Sequence, residues 1–398
     1  MADAVSLRSV SSIEEIDAAV WDALANPAPG AETARFDYNP FLSHAFFHAL
    51  EASGSASRRT GWMPHHLVME RDGETIGVLP CYAKSHSQGE YVFDYGWADA
   101  FERAGGRYYP KLQCSVPFTP ATGRRLLVGD GPDRTERQAL LGEGLRQVCE
   151  EVGVSSAHIT FQREDEAKLL FEMGYLERND QQFHWHNAAE PYPDFDTFLT
   201  SLASRKRKAI RKERAEAHRN VTIERLSGEQ LTDEVWDTFF RFYMDTGSRK
   251  YGRPYLTRDF YTRIGTTMAD RIVLVMARSN EHGHHVAGAI NFVGSHTLFG
   301  RHWGCVEHHP MLHFECCYYQ AIDYAIERGL STVEAGAQGG HKLARGYMPT
   351  ITYSTHHITH PGLREAVGDY LEREREAVAY EAEMTERHGP FRKTNDAL

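Results

Sequence analysis

Apolar residues recur along this chain at two spacings, about every second residue and about every third to fourth, the periods of half-buried strands and amphipathic helices. Ser11 or Ser12, with Glu15 in capping-box range, predicts a helix over 12–24. Phe41, Ala45, Phe46, Ala49 and Leu50 form the apolar face of a second helix over 39–51. Apolar runs at 66–70 and 75–80 flank Arg71, Asp72 and Gly73, and an Asp-Gly pair between such runs predicts a tight hairpin. Strands are predicted at 91–94, 125–128, 158–161 and 182–185, and helices at 134–152 and 164–173.

Glu190, Pro191, Tyr192 and Pro193 break the pattern, and a basic helix follows over 198–218. Beyond it the periodicity predicts a strand at 221–226, helices at 232–246 and 255–269, and a hairpin of 272–277 with 286–293. A strand at 297–303, a helix at 313–328, strands at 332–335 and 350–358 and a charged helical tail over 362–387 complete the chain. The element order of the first half recurs in the second without a residue-level repeat. Such alternation predicts an α/β (α+β) architecture in which each half is a mixed sheet with flanking helices.

Composition narrows the class. A length of 398 residues, 41% hydrophobic and 25% charged, is that of a soluble globular protein with two or three domains. No apolar run approaches the roughly 20 residues of a membrane span. The first residues lack a basic segment followed by an apolar core, so no secretory signal is expected. Cys81, Cys114, Cys149, Cys305, Cys316 and Cys317 have no paired spacing, which fits reduced thiols and a cytoplasmic location. The net charge of −11 excludes a general nucleic-acid binder. The exception is local: Arg205, Lys206, Arg207, Lys208, Arg211, Lys212, Arg214 and Arg219 against Glu213 and Glu216. That helix either meets a polyanion, such as tRNA phosphates or an anionic lipid carrier, or is a solvated, salt-bridged face.

Candidate chemistry concentrates at 332–349. A short strand there ends in a turn containing Gly336, Gly339 and Gly340, followed by Lys342 and Arg345. Glycines past a strand end let backbone approach a ligand, and cations three residues apart on a helical turn point the same way. Such a pair suits an anionic group or a developing oxyanion. Arg301, His302 and Trp303 lie on a strand whose neighbour bears Asn291, and Glu315 and Tyr319 lie one turn apart on the following helix. Glu315 or His302 is placed to bind an acceptor amine or take its proton. Asp94, Trp97, Asp99, Lys111 and Gln113 suggest a polar-aromatic loop for a polar acceptor. The histidine clusters lack the spacings of a zinc site, so no metal is expected.

Several stretches resemble one family. The leucine, serine and basic residues of 198–225, and the helix, strand, Glu334, Gly336, Gly339, Lys342, Arg345, Gly346 and Tyr347 of 313–347, resemble FemAB-type proteins. The residues 39–43, 91–97, 109–120, 301–304 and 390–392 resemble the FemAB-like family associated with peptidoglycan biosynthesis or recognition. The resemblance covers nearly the whole chain. It implies two tandem GNAT-like (acyl-CoA N-acyltransferase-like) domains, at 1–190 and 220–362, with a basic helical connection at 191–219 and a helical tail at 363–398. It further implies transfer of an acyl or aminoacyl group to an amine of a peptide, peptidoglycan precursor or small molecule. Aminoacyl-tRNA is the favoured co-substrate and acyl-CoA the alternative, with no tightly bound cofactor; a non-catalytic recognition protein for cell-wall fragments is the second alternative. The expected catalytic residues are Lys342, Arg345, Glu315 and His302. The expected substrate-binding residues are Trp303, Tyr319, Glu334, Gln338, Asp94, Trp97 and Lys111. An acyl-CoA site carries a glycine-rich pyrophosphate loop, whereas 304–313 offers Glu307 and one glycine. In the first half, 118–125 is basic but matches that loop poorly.

Overall fold

A computed structural model describes residues 5–26, 38–250, 254–336 and 339–392, with the side chains of 248–250 excepted. The chain divides into two compact units: Met1–Asp180 with Ile351–Tyr380, and Gln181–Thr350 with Glu381–Leu398. The first unit therefore includes a segment beyond the boundary expected at 190. The basic stretch at 191–219 belongs to the second unit.

In the first unit, β1 (Val5–Val10) joins a sheet that the residue pattern does not predict. The strands β2 (Trp62–Pro64), β3 (His66–Arg71), β4 (Glu74–Leu79), β5 (Tyr82–Lys84), β6 (Lys111–Cys114) and β7 (Ser156–Gln162) follow. β1, β3 and β4 form a three-stranded sheet, and the predicted hairpin closes through Asp72 and Gly73, both with positive φ. That backbone is the two-residue turn an Asp-Gly pair favours. The helix expected over 12–24 is split, because Asp17 caps a second start by accepting from the amides of Ala19 and Val20. The strands expected at 91–94 and 125–128 do not form. Residues 95–103 instead make a helix, and the second segment contributes a single bridge, Val78 to Leu127. Leu67, Leu79, Leu112, Leu145 and Ile159 form the core of this unit.

The second unit contains β8 (Leu176–His186) from its residue 181 onward, β9 (Val221–Leu226), β10 (Ile272–Ser279), β11 (His285–Val293), β12 (Thr297–Cys305) and β13 (Thr332–Glu334). Their order is β8-β13-β12-β11-β10-β9. The last strand, β14 (Met348–Ile358), pairs antiparallel with β7 through residues 353–358, within the first unit. The basic helix is interrupted at Leu202 and Ala203, giving helices Phe195–Ser201 and Ser204–Ala217, since Leu202 bridges to Phe391. Gly304 is required where Asp233–Lys250 crosses β12: a Cβ there would lie 2.2 Å from the Phe242 carbonyl oxygen. Trp185, Phe198, Leu298, Tyr319, Ile322 and Val333 build the core on which the site rests.

Candidate active site

β12 and β13 are parallel neighbours for only three pairs, Thr297 to Thr332, Leu298 to Val333 and Phe299 to Glu334. β13 then ends while β12 runs on to Cys305, and a cleft of about 90 Å³ opens where the strands part. Asn291, Arg301, His302, Trp303, Cys317 and Tyr318 line it. On its other flank, the β11–β12 register shifts between Ala289 and Asn291, a bulge of the kind that re-aims side chains at sites. A larger pocket of about 330 Å³ shares Trp303 and His313 with the first; Thr246, Glu307, His309, Met311 and Phe314 also line it. Crevices at the carboxyl ends of parallel strands are the usual ligand sites of such sheets.

The helix expected at 313–328 is Leu312–Phe314, then a π-turn over Glu315–Tyr319, then Gln320–Glu327. π-turns occur frequently at functional sites, and this one rotates consecutive residues to different neighbours. Cys317 and Tyr318 line the cleft, two residues the apolar pattern does not mark as functional. Glu315 and Tyr319 turn instead to the Ser204–Ala217 helix. Glu315 is fully buried; it accepts from Arg214 at 2.9 and 3.1 Å and from Gln320 at 2.7 Å, and lies 3.1 Å from His218. Burial alone would raise its pKa, but His218 and Arg214 outweigh burial and hold the carboxyl below its usual range. The Tyr319 hydroxyl donates to Glu213. Glu315, expected at the acceptor amine, and Tyr319, expected to bind substrate, are therefore held by ion pairs and hydrogen bonds to that helix.

The turn after β13 is a 3-10 helix, Gly340–Arg345, closed by Gly346 with φ 93°, a conformation that only glycine adopts readily. Its three-residue period stacks Lys342 and Arg345 on one side. Lys342 is buried, with Nζ donating to the Gly336 carbonyl at 2.7 Å. Burial, with Arg301 adding to it against Cys317, lowers its pKa to about 8. Both of those neighbours line the cleft, whereas Lys342 itself is not among its lining residues. Tyr318 ties the turn to the cleft wall through His341, 2.9 Å from its hydroxyl. Arg345 is engaged: Nη2 donates to Glu213 at 2.8 Å, Nη1 donates to the His341 carbonyl at 2.7 Å, and its guanidinium lies 3.5 Å from the Phe314 ring centroid. As a substrate anchor it would first have to leave these partners.

His302 packs edge-on against Tyr243, and burial with Arg301 pushes its pKa to about 3. The lowered pKa favours the neutral ring and weakens it as a base. Trp303 stands at the junction of the two pockets, against His313. Glu334 is buried at the end of β13, where the strands part. Gln338 lies outside the described residues.

Asp94, Trp97 and Lys111 do assemble, but inside the first unit rather than on a surface loop. Lys111 is fully buried and donates to Glu90 at 2.7 Å, to Ser87 at 2.9 Å and to Asp94. Tyr108 donates to Asp94 at 2.7 Å. Burial opposes the charge of Asp94, but Lys111 outweighs it and holds the carboxyl well below the ordinary range. Trp97 packs on His158 and His356, with the Arg178 guanidinium 5.1 Å from its ring centroid. The charges answer one another, which makes this an internal salt cluster. The basic loop at 118–125 is closed in the same way: Arg124 and Arg125 are buried on backbone carbonyls of Ala25, Thr160 and Ala121.

On the Ser204–Ala217 helix, Arg205, Lys208, Arg211 and Lys212 are exposed, and Lys206 and Arg207 are half-buried. Arg211 pairs with Asp196 at 3.0 Å. Among the described residues, no helix is long and apolar enough to cross a membrane.

No curated protein matches the sequence. Among solved structures, FemX matches at 13% identity over 89% of this chain and 98% of its own, with a TM-score of 0.53. A conserved protein of unknown function from Bacteroides thetaiotaomicron VPI-5482 matches at 10% identity over 89% of this chain and 100% of its own, with a TM-score of 0.50. A tandem GNAT protein from the clavulanic acid biosynthesis pathway matches at 11% identity over 90% and 99%, with a TM-score of 0.48. The fold is the expected mixed α/β one, shared with FemX. The profile of the FemAB-like family, described as peptidoglycan biosynthesis/recognition, matches residues 12–393, and the chain belongs to that family.

Proposed function

We propose that this protein is a FemAB-type acyltransferase that moves an aminoacyl or acyl group from an activated donor to an amine, in the cleft where β12 and β13 part. The observation that carries this reading is the buried Lys342 beside that cleft, on a turn pinned to the cleft wall. Attack of an amine on an ester carbonyl forms the C–N bond and places negative charge on the carbonyl oxygen. The Lys342 ammonium, with two N–H donors beyond the one given to Gly336, stabilises that charge; the ester oxygen leaves with a proton that originates on the amine.

Aminoacyl-tRNA is the favoured donor. The family membership and the exposed cations of the Ser204–Ala217 helix support it, and a cytoplasmic location follows from that choice. Acyl-CoA is disfavoured by the wall of the larger pocket, where Glu307 stands and a glycine-rich loop is missing from the sequence. The acceptor is an amine of a peptide, peptidoglycan precursor or small molecule. Incubating the protein with charged tRNA, acetyl-CoA and muropeptide amines tests this: RNA-dependent acylation of an amine is expected. Transfer from acetyl-CoA alone moves the reading to the CoA-dependent class, and muropeptide binding without any transfer makes the protein a recognition module.

A further inference from the structure

Glu213 and Arg214 are adjacent on the Ser204–Ala217 helix; Glu213 reaches both the turn that carries Lys342 and the π-turn, and Arg214 reaches the π-turn and the helix after it. Glu213 accepts from Arg345 at 2.8 Å and from the Tyr319 hydroxyl. Arg345 is three positions beyond Lys342 in the same turn. Arg214 donates to Glu315 at 2.9 and 3.1 Å and to Asp323 at 2.7 Å, and so holds the π-turn that carries Cys317 and Tyr318. The same helix presents Arg205, Lys208, Arg211 and Lys212 to solvent. One element thus has exposed cations outside and holds, inside, the Lys342 turn and the π-turn whose Cys317 and Tyr318 line the cleft.

We propose that Glu213 and Arg214 are positioning residues that clamp the Lys342 turn and the π-turn to this helix, so that RNA phosphates bound on its exposed face and the reacting carbonyl are kept in register. The proposal rests on the reading of the cleft as an acyl-transfer site. Its physical ground is that half-buried ion pairs contribute little net stability and are best used to fix registry. Registry matters because a misplacement of about 1 Å can cost roughly 100-fold in rate.

The test uses the full chain. Glu213→Ala is expected to lower kcat about 10- to 100-fold, a misplacement-sized effect, while KM for charged tRNA stays nearly constant. Glu213→Gln, which keeps an acceptor oxygen for Arg345 or Tyr319, is expected to restore most of the rate; if the Ala variant fails to fold, it carries the test with an intermediate kcat. The second readout is the NMR titration of Lys342 after reductive methylation. A short RNA duplex at low salt is expected to shift that signal in the wild type but not in Glu213→Ala. An unchanged kcat and an unchanged Lys342 response in Glu213→Ala overturn the proposal, as does a shift produced by phosphatidylglycerol vesicles and not by RNA. If the wild type transfers from no donor, the functional reading fails, while the Lys342 response still decides the clamp.

Discussion

Lys342 carries a cost that the protein keeps. A lysine pKa lowered from 10.5 to about 8 means the folded state disfavours the ammonium by about 3 kcal/mol at neutral pH. Between pH 8 and 10.5 the unfolded chain binds more protons than the folded one, so this part of stability rises with pH across that window and is lowest below it. Lys342→Met, which fills the same space without charge, is therefore expected to hold or raise the melting temperature at pH 7 and to flatten its rise above pH 8. A drop of several degrees would mean that the Gly336 hydrogen bond outweighs the burial of charge. The turn that carries Lys342 is legible in the sequence because glycines after a strand announce a tight turn. The separate fate of Arg345 is not, since its partner Glu213 lies 132 positions earlier and only the folded chain brings them together. Asp94 and Lys111 mislead for the same reason: a polar pair near aromatics reads as a surface site until Glu90 and Tyr108 close around it.

Among the elements, long periodic helices are the most legible, with Arg134–Val152 found as expected. The 313–328 helix is legible too, but its π-turn breaks the 3.6-residue period and exchanges cleft residues, placing Cys317 and Tyr318 where Glu315 and Tyr319 are expected. The Ser204–Ala217 helix carries its own prediction. Replacing Arg205, Lys206, Arg207 and Lys208 with Ser or Gln should weaken RNA binding and reduce the slope of log K against log salt, by up to about 0.7–0.9 for each phosphate that is no longer neutralised. A filter-binding series from low to high salt measures it. An unchanged slope returns these side chains to an ordinary solvated face.

For the whole molecule, the first unit depends on residues that the chain supplies late. β14 pairs with β7, and Ile358, Leu363, Val367 and Leu371 pack with Trp97 and Tyr108. Strand pairing across such a gap leaves no local signal, so a boundary drawn at 190 omits it. A fragment of residues 1–190 is expected to show no cooperative unfolding transition, and joining 351–380 to it through a flexible linker should restore one. Cooperative melting of the short fragment would show that the returning segment is dispensable.

Whether the buried Lys342 ammonium promotes acyl transfer at the β12–β13 cleft is decided by the pH–rate profile of the wild type against Lys342→Met, with charged tRNA and an amine acceptor. The ratio of wild-type to Lys342→Met turnover, in which ionisation of the acceptor amine cancels, is predicted to fall as pH rises through about 8, where Lys342 loses its proton. A loss of roughly 100- to 1000-fold is also predicted in the folded Lys342→Met variant, the usual effect of removing one oxyanion donor. Near-normal turnover in that variant, or a wild-type-to-variant ratio that stays constant through pH 8, would contradict that role.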